Sequence, residues 1–179
     1  MGLERYSEVL GLPVICIDNG KKLGMIQDVI FCPKQKRVEG FILERKGCQV
    51  GKRVVLLKDV FQLGKDAMVL NECSCIKDLK KAEAANEVEE KGNVLGLRIY
   101  SRDGNDLGVV KDVLFDYKTG AIEGVEVSDG LIHDLIEGRN ILPLFGKVEF
   151  GEENILVDKE AIEEIITNIG GLKNRMKGK

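Results

Sequence analysis

Two stretches of the chain decide how it folds. Residues 20–31 read GKKLGMIQDVIF, and residues 104–115 read GNDLGVVKDVLF. They begin 84 residues apart and share the pattern Gly-x-x-Leu-Gly-x-x-x-Asp-Val-x-Phe, which is too long to arise by chance. Self-similarity at a fixed spacing is the signature of a repeated structural unit. The chain therefore contains two copies of one unit, at about residues 10–70 and 94–157.

Each copy has the pattern of short β-strands separated by turns. The predicted strands are 14–17, 25–31, 37–44, 54–57 and 67–70 in the first copy, and 98–100, 109–115, 121–127, 141–144 and 155–157 in the second. Asn19-Gly20 and Asp103-Gly104 supply the positive φ angles of tight hairpin turns. A flat sheet of such strands would leave two bare edges, and curling into a small barrel removes them.

The repeats divide the chain into five segments. These are a first barrel (1–70), a charged linker with a weak helix (71–93), a second barrel (94–157), a C-terminal helix (158–170) and a basic tail (171–179). In the linker, Ile76, Leu79 and Val88 form a thin apolar stripe. Asp158 is a suitable N-cap for the C-terminal helix. We expect that helix to dock by an apolar face spaced i, i+3, i+4 and i+7, formed by Ile162, Ile165, Ile166 and Ile169.

Composition excludes several classes of function. The 179 residues carry a net charge of −3, only 5% aromatic residues and no Trp. General nucleic-acid binders carry a basic surplus and stacking aromatics, so direct nucleic-acid binding is not expected. No apolar run approaches the ~20 residues that span a bilayer, and the start lacks an export core. We expect a cytoplasmic protein, and its five cysteines argue against a disulfide framework.

Six positions recur at equivalent places in the two copies: Gly24 and Gly108, Asp28 and Asp112, and Gly40 and Gly124. An Asp inside a strand is unusual. It either contacts a ligand or ion, or accepts backbone N–H bonds where the barrel bends, and its presence in both copies favours the structural role. The glycines suit bulges and corners, so we predict that Gly24→Val and Gly108→Val are structural lesions.

Residues 128–139 are where the copies differ, because the second copy has three extra residues there. This segment gathers the charged or titratable side chains Asp129, His133, Asp134, Glu137 and Arg139, including the only His. One His with scattered carboxylates is a weak pattern for metal or acid–base chemistry. A structured connection packed on the barrel is the simpler interpretation, and a partner-binding loop would lie here.

Two cysteines form a second candidate for a metal site. Cys73 and Cys75 offer two thiolates to a soft ion. Structural zinc sites use four ligands, commonly with Cys-x₂₋₄-Cys spacing, and neither that spacing nor a second pair is present. The sequence therefore predicts no metal and no cofactor. It also contains no phosphate-binding glycine loop and no nucleophile elbow, so we expect that the chain is not an enzyme.

Each copy resembles a PRC-barrel, the small β-barrel of the photosynthetic reaction-centre H subunit and of RimM-type ribosome-maturation factors. The resemblance is carried by the first-strand Leu-Gly, the Asn/Asp-Gly turn, Leu-Gly-x-x-x-Asp-Val, the Glu-Gly strand and a late Gly before the final strand. It covers nearly all of both copies and is strongest to tandem two-barrel proteins of Gram-positive bacteria. It implies a mainly all-β fold of two small PRC-type barrels with a linker and a C-terminal helix.

The resemblance implies that the chain binds a partner and does not catalyse a reaction. The same barrel type occurs in proteins of unrelated function, so the fold alone does not identify the partner. The leading hypothesis is a non-catalytic adaptor that presents loops or an edge to a protein partner, with self-association left open. The alternative is a ribosome-assembly or RNA-associated role similar to that of RimM-type factors, in which nucleic acid is reached through the ribosome. The third is a protein that binds a metal or small ligand through residues 128–139 or the Cys73/Cys75 pair.

Overall fold

The structure is a computed structural model that describes residues 2–48, 50–89, 92–128, 141–144 and 148–162. The chain divides into two compact units. Unit 1 contains residues 1–92 and 114–122, and unit 2 contains residues 93–113 and 123–179. Most of the described elements are strands, which confirms the predicted mainly all-β fold.

Unit 1 is built on one seven-stranded path. In chain order its elements are β1 (Leu3–Arg5), α1 (Tyr6–Val9), β2 (Pro13–Cys16), β3 (Lys22–Cys32), β4 (Arg37–Leu43), β5 (Arg53–Leu56), β6 (Val60–Leu63), β7 (Met68–Leu70), β8 (Lys77–Asp78) and α2 (Leu79–Ala84). Short 3-10 helices cover Leu57–Asp59 and Cys73–Cys75. The strand order is β6-β7-β2-β3-β4-β5-β8, and within it only β2 and β7 run parallel.

The long strand β3 organises unit 1. It spans 11 residues and pairs with β2 through its first part and with β4 from Ile26 onward. Its register against β4 shifts between Ile26 and Asp28 and again between Ile30 and Phe31. Such irregularities bend a strand and increase its twist. Because β3 bends, its first part can pair with β2 while the rest pairs with β4, and such a bent strand is typical of a small barrel.

Residues 71–93, predicted as a charged linker with a weak helix, contain β8 and α2. The Asp78 carboxylate caps α2 by accepting hydrogen bonds from the backbone N–H groups of Lys80 and Lys81. The helix then buries Leu79 and Ala82 in the core of unit 1 together with Val88. Their partners in this cluster come from β3, β4 and β5: Ile30, Ile42, Val54 and Leu56. Of the thin apolar stripe, Leu79 and Val88 therefore belong to the core, whereas Ile76 is only partly buried.

Unit 2 repeats the arrangement. Its elements are β9 (Arg98–Ser101), β10 (Asp106–Asp116), β11 (Ile122–Ser128), β12 (Ile141–Pro143), β13 (Val148–Phe150) and β14 (Asn154–Val157). The order β12-β11-β10-β9-β14-β13 matches β5-β4-β3-β2-β7-β6, with β9 and β14 again parallel. Residues 159–162 are helical, as predicted, and the rest of the predicted C-terminal helix and the basic tail lie outside the described residues.

The end of β10 and the turn after it belong to unit 1. Strand β1, which the sequence did not predict, pairs antiparallel with residues 114–116. The backbone N–H of Val38 donates to the Gly120 carbonyl at 2.7 Å. The rings of Phe41 and Phe115, both fully buried, have centroids 6.3 Å apart. A hairpin tip from the second repeat thus completes the core of unit 1.

The Asn-Gly and Asp-Gly turns differ in detail from the expectation. Only their glycines take positive φ, +66° at Gly20 and +87° at Gly104. The loops are longer than two-residue turns: the Gly20 N–H donates to the Cys16 carbonyl, and the Cys16 N–H donates to the Lys21 carbonyl. The Asn19 side chain accepts the Lys21 N–H at 2.9 Å, which holds Asn19 in a local Asx turn.

Candidate functional site

The candidate segment 128–139 lies almost entirely outside the described residues. Of its members only Ser128 is described, at the end of β11. The five side chains predicted there as an interaction loop fall outside the structure's described part: Asp129, His133, Asp134, Glu137 and Arg139. That prediction stays a prediction.

The repeated aspartates share one backbone hydrogen bond, although Asp112 is buried and Asp28 is only partly buried. Each carboxylate accepts the backbone N–H of the next residue, Val29 at 2.8 Å from Asp28 and Val113 at 2.9 Å from Asp112. The Tyr6 hydroxyl also donates to Asp28 at 3.1 Å. Such bonds satisfy a backbone donor at an irregular strand position. This is the geometry expected of the structural role.

The repeated glycines lie where a side chain would collide or strain the backbone. Gly108 has φ +116°, and a Cβ there would meet the Ser128 carbonyl and lie 2.6 Å from Val127 Cγ1. Gly24 has φ +149°, and the nearest atom to a Cβ there would be an Arg53 guanidinium nitrogen at 3.2 Å, which donates to the Glu44 carbonyl. At Gly40 the obstacle is the Val55 carbonyl across the sheet, and at Gly124 it is the Leu142 carbonyl at 3.2 Å. These positions serve close strand approach.

The Cys73/Cys75 candidate is not set up as a thiolate site. Both residues lie in one 3-10 helix, where the Cys75 thiol donates to the Glu72 carbonyl at 2.9 Å. Burial, followed by the nearby Asp59 carboxylate, raises the pKa of the Cys75 thiol. A hydrogen bond with Cys73 and burial raise the pKa of the Cys16 thiol. A raised pKa lowers the fraction of thiolate, which is the nucleophilic form, at these two cysteines.

The outer side of β2, β7 and β6 in unit 1 exposes several apolar side chains beside the exposed Gln62, which pairs with Val69. Ile15 pairs with Val69, and both point away from the buried side chains of their strands. Ile17 is 49% exposed at the end of β2, and Phe61 is 56% exposed on β6. The register shift between Val60 and Gln62 leaves Phe61 as an extra residue in its strand. We call Ile15, Ile17, Phe61 and Val69 the apolar face.

The same surface of unit 2 is different in chemistry. Ile17 and Arg102 are equivalent, because their N–H groups donate at 3.0 Å to the equivalent carbonyls of Leu70 and Val157. Arg102 forms ion pairs with Asp158 and, at 2.8 Å, with Glu149 of β13. Strand β13 pairs with β14 without a register shift, so it has no counterpart of Phe61. The pair Tyr100 and Leu156 is equivalent to Ile15 and Val69, so the two surfaces differ at Arg102 and Glu149, which form an ion pair in unit 2 where unit 1 has Ile17 and Gln62.

A polar groove of about 200 Å³ lies on another side of unit 1. It is lined by Gln35, Arg37, Glu39, Leu56, Leu57, Lys58, Asn86, Glu87 and Glu89. Lys77 donates to both Glu87 oxygens at 2.6 and 2.7 Å, and Lys58 donates to the same carboxylate at 3.2 Å. These bonds lower the pKa of Glu87 and raise that of Lys77. They hold residues 86–89 against β8.

Removing this carboxylate gives a pH-dependent effect. Because the pKa of Glu87 is lowered, its contribution to stability is present above its ordinary value of 4.5 and is lost as the pH falls through the lowered pKa. We expect Glu87→Gln to lower the Tm by about 1–4 °C at pH 7, with the difference closing in acid. Thermal unfolding across pH tests this, with Glu83→Gln, an exposed change on α2, as the control. An equal deficit at acid and neutral pH contradicts it.

One end of the groove carries a group that the sequence did not indicate. The Cys32 sulfur and one oxygen each from Glu39 and Glu89 lie within 4.8 Å of one another. Their positions follow no recognised metal-binding spacing, since Glu89 comes 57 residues after Cys32 and is brought back by α2.

The exposed Phe61 was also missed by the sequence analysis. The signal that could have found it is the alignment of the two copies, in which Phe61 is an extra residue.

Comparison with known families identifies the repeated unit. A family model described as the PRC-barrel domain matches residues 1–72 and 87–162. The two matched segments coincide with the two repeats found by internal alignment. A search of curated proteins gives no significant match. Within the described part of the chain, no helix is long and apolar enough to cross a membrane.

Proposed function

The chain belongs to the PRC-barrel domain family, and from this premise we propose that it is a non-catalytic adaptor that binds a protein through the apolar face of unit 1. The observation that carries the proposal is the exposure of two large apolar side chains, Ile17 at the end of β2 and Phe61 on β6, on the two strands that flank β7. Clustered exposed apolar side chains mark interaction surfaces more than isolated ones do.

Energetics favour a specific contact. Ile17 and Phe61 are each about half exposed. Full burial of such side chains contributes about 1.5–3 kcal/mol each, so covering the exposed halves of both contributes roughly 1.5–3 kcal/mol in total. Aromatic anchors of this kind dominate the free energy of protein association. The complementary partner is a protein that presents an apolar patch of its own.

The internal comparison supports the same assignment. On the equivalent surface of unit 2, Arg102 and Glu149 form an ion pair. Charged pairs of this kind are typical of a sheet face that contacts solvent. Unit 1 has the same strand order but leaves Ile17 and Phe61 uncovered. Because fold requirements are the same in both units, the apolar side chains of unit 1 are not needed for the fold.

Affinity capture from the native source with three tagged forms tests the proposal. These are the wild type, Ile17→Ser/Phe61→Ser, and Leu156→Ser, a matched loss of a partly exposed apolar side chain on unit 2. We expect a protein that co-purifies with the wild type and Leu156→Ser and whose affinity is reduced about 10-fold or more in the double variant. Equal recovery with all three forms overturns the proposal, provided that their melting temperatures agree.

The identity of the captured protein separates the alternatives. Capture of a ribosomal protein supports the ribosome-assembly hypothesis. Capture of a different set of proteins supports an adaptor that acts outside ribosome assembly. Analytical ultracentrifugation covers self-association: if Ile17→Ser/Phe61→Ser only converts an oligomer to a monomer, the apolar face binds a second copy and not a different protein.

A further inference from the structure

Three side chains from distant parts of unit 1 converge on one point. Cys32 is the last residue of β3, Glu39 lies on the adjacent strand β4, and Glu89 follows α2. Their sulfur and carboxylate oxygens all lie within 4.8 Å of one another. The point lies at one end of the polar groove, which Glu39 and Glu89 also line.

The Cys32 thiol is unusual in this position. It is fully buried, yet it faces two carboxylate oxygens. Among the described residues no hydrogen bond to its sulfur is found, in contrast to the thiols of Cys73 and Cys75. A thiol that only fills space in the core has no reason to face carboxylates, because an apolar side chain fills space without that contact.

The two carboxylates are oriented but not neutralised. Glu39 accepts the backbone N–H of Glu89 at 2.8 Å, and the Gln35 side-chain amide donates to Glu89. In the part of the chain that the structure describes, neither carboxylate has an ion pair, while Lys58 and Lys77 are paired with Glu87. Two carboxylates this close repel each other, and a bound cation removes the repulsion.

We propose that Cys32, Glu39 and Glu89 bind a zinc-type divalent cation, with the fourth position open to the groove. One thiolate with two carboxylates suits Zn²⁺, whereas Mg²⁺ and Ca²⁺ use oxygen alone and Cu⁺ prefers several sulfurs. The Cys32 thiol releases its proton to solvent as the zinc–sulfur bond forms, and the carboxylates bind as they are. The site goes beyond the proposed function and lies apart from the apolar face.

The geometry requires only a small closure. Zinc–sulfur bonds of about 2.3 Å and zinc–oxygen bonds of about 2.0–2.2 Å place tetrahedral ligand atoms roughly 3.4–3.6 Å apart. The three ligand atoms lie within 4.8 Å of one another, so they have to approach one another by at most about 1.4 Å. Glu39 and Glu89 can supply this by side-chain rotation, since Glu89 is exposed and Glu39 is only partly buried. Metal binding would then join the β3–β4 hairpin to the segment that follows α2.

Cobalt(II), a spectroscopic stand-in for zinc, gives the most direct test. We expect the purified full chain to bind one Co²⁺ with a thiolate-to-metal charge-transfer band and the visible bands of a tetrahedral site, and zinc to displace it. Cys32→Ser removes the charge-transfer band. Cys48→Ser and Cys73→Ser/Cys75→Ser retain it, because those thiols lie elsewhere. A wild type without the band, or a Cys32→Ser protein that keeps it, overturns the proposal.

Cys32 is buried, so Cys32→Ser can also disturb folding, and a second test uses a variant at an exposed residue. Gln35 is exposed and only orients Glu89. Loss of such an outer contact weakens metal binding by about 10–100-fold, so we expect that reduction in zinc affinity for Gln35→Ala in a chelator competition. Lys34→Ala, an exposed change on the same turn, is the control. Unchanged affinity in Gln35→Ala, or equal losses in both variants, contradicts the site.

Discussion

Gly108→Ala is expected to destabilise unit 2 by about 3–5 kcal/mol. Gly108 has φ +116°, a conformation that L side chains rarely adopt. The new Cβ would also meet the Ser128 carbonyl, which belongs to the paired backbone of β11 and cannot rotate away. Valine carries the same Cβ and two further methyl groups, so Gly108→Val is expected to be at least as severe. Chemical denaturation, followed by hydrogen exchange in peptides from β10 and β11, measures the loss.

Gly64→Ala is the matched control for this change. Its Cβ would meet only the Ala67 carbonyl, at an ordinary contact distance of 3.5 Å. We expect a change within about 0.5 kcal/mol for that variant. If Gly108→Ala and Gly64→Ala unfold at the same denaturant concentration, the close approach of β10 and β11 does not require glycine.

Phe115→Ala is expected to cost about 3–5 kcal/mol, and the loss should appear in unit 1. Phe115 belongs to the second repeat by sequence, but it is fully buried against Phe41 of β4. Residues 114–116 also pair with β1, so the cavity opens inside unit 1. Hydrogen exchange in peptides covering β4 measures the effect, because lost core packing exposes those amides.

The control for this prediction is Phe61→Ala, which removes an exposed ring from the same unit. It should change the stability by no more than about 0.5 kcal/mol. Unchanged protection of β4 in Phe115→Ala, with exchange increased only in peptides of unit 2, would place the hairpin tip outside unit 1.

The repeat predicted most of the architecture, because its strands carry strong patterns. The predicted strands 25–31 and 109–115 became the central parts of β3 and β10. Strands β1, β6, β8 and β13 were missed, since they are two to four residues long and lie at edges where no alternation develops. Helix α2 was predicted as part of a linker, because its few apolar residues do not show in sequence that they close a core.

The functional surfaces depended more on tertiary structure. The outward direction of Ile17 and Phe61 follows from strand register and a bulge, and apolar residues in strands are otherwise assumed to be core. Cys32 and Glu39 lie near each other in sequence, but Glu89 joins them only because α2 returns the chain across β5 and β4. The sequence favoured Cys73 and Cys75 by proximity alone, and the structure gives their thiols backbone and side-chain partners instead.

Site-specific photo-cross-linking in the native cell tests the adaptor assignment most directly. A photoreactive phenylalanine analogue replaces Phe61 in one protein and Glu149 in another, since both side chains are exposed on the edge strands of the two units. The account predicts a discrete protein adduct at position 61 and none of comparable yield at position 149. Absence of any adduct at position 61, or equal adducts at both positions, would contradict binding through the apolar face.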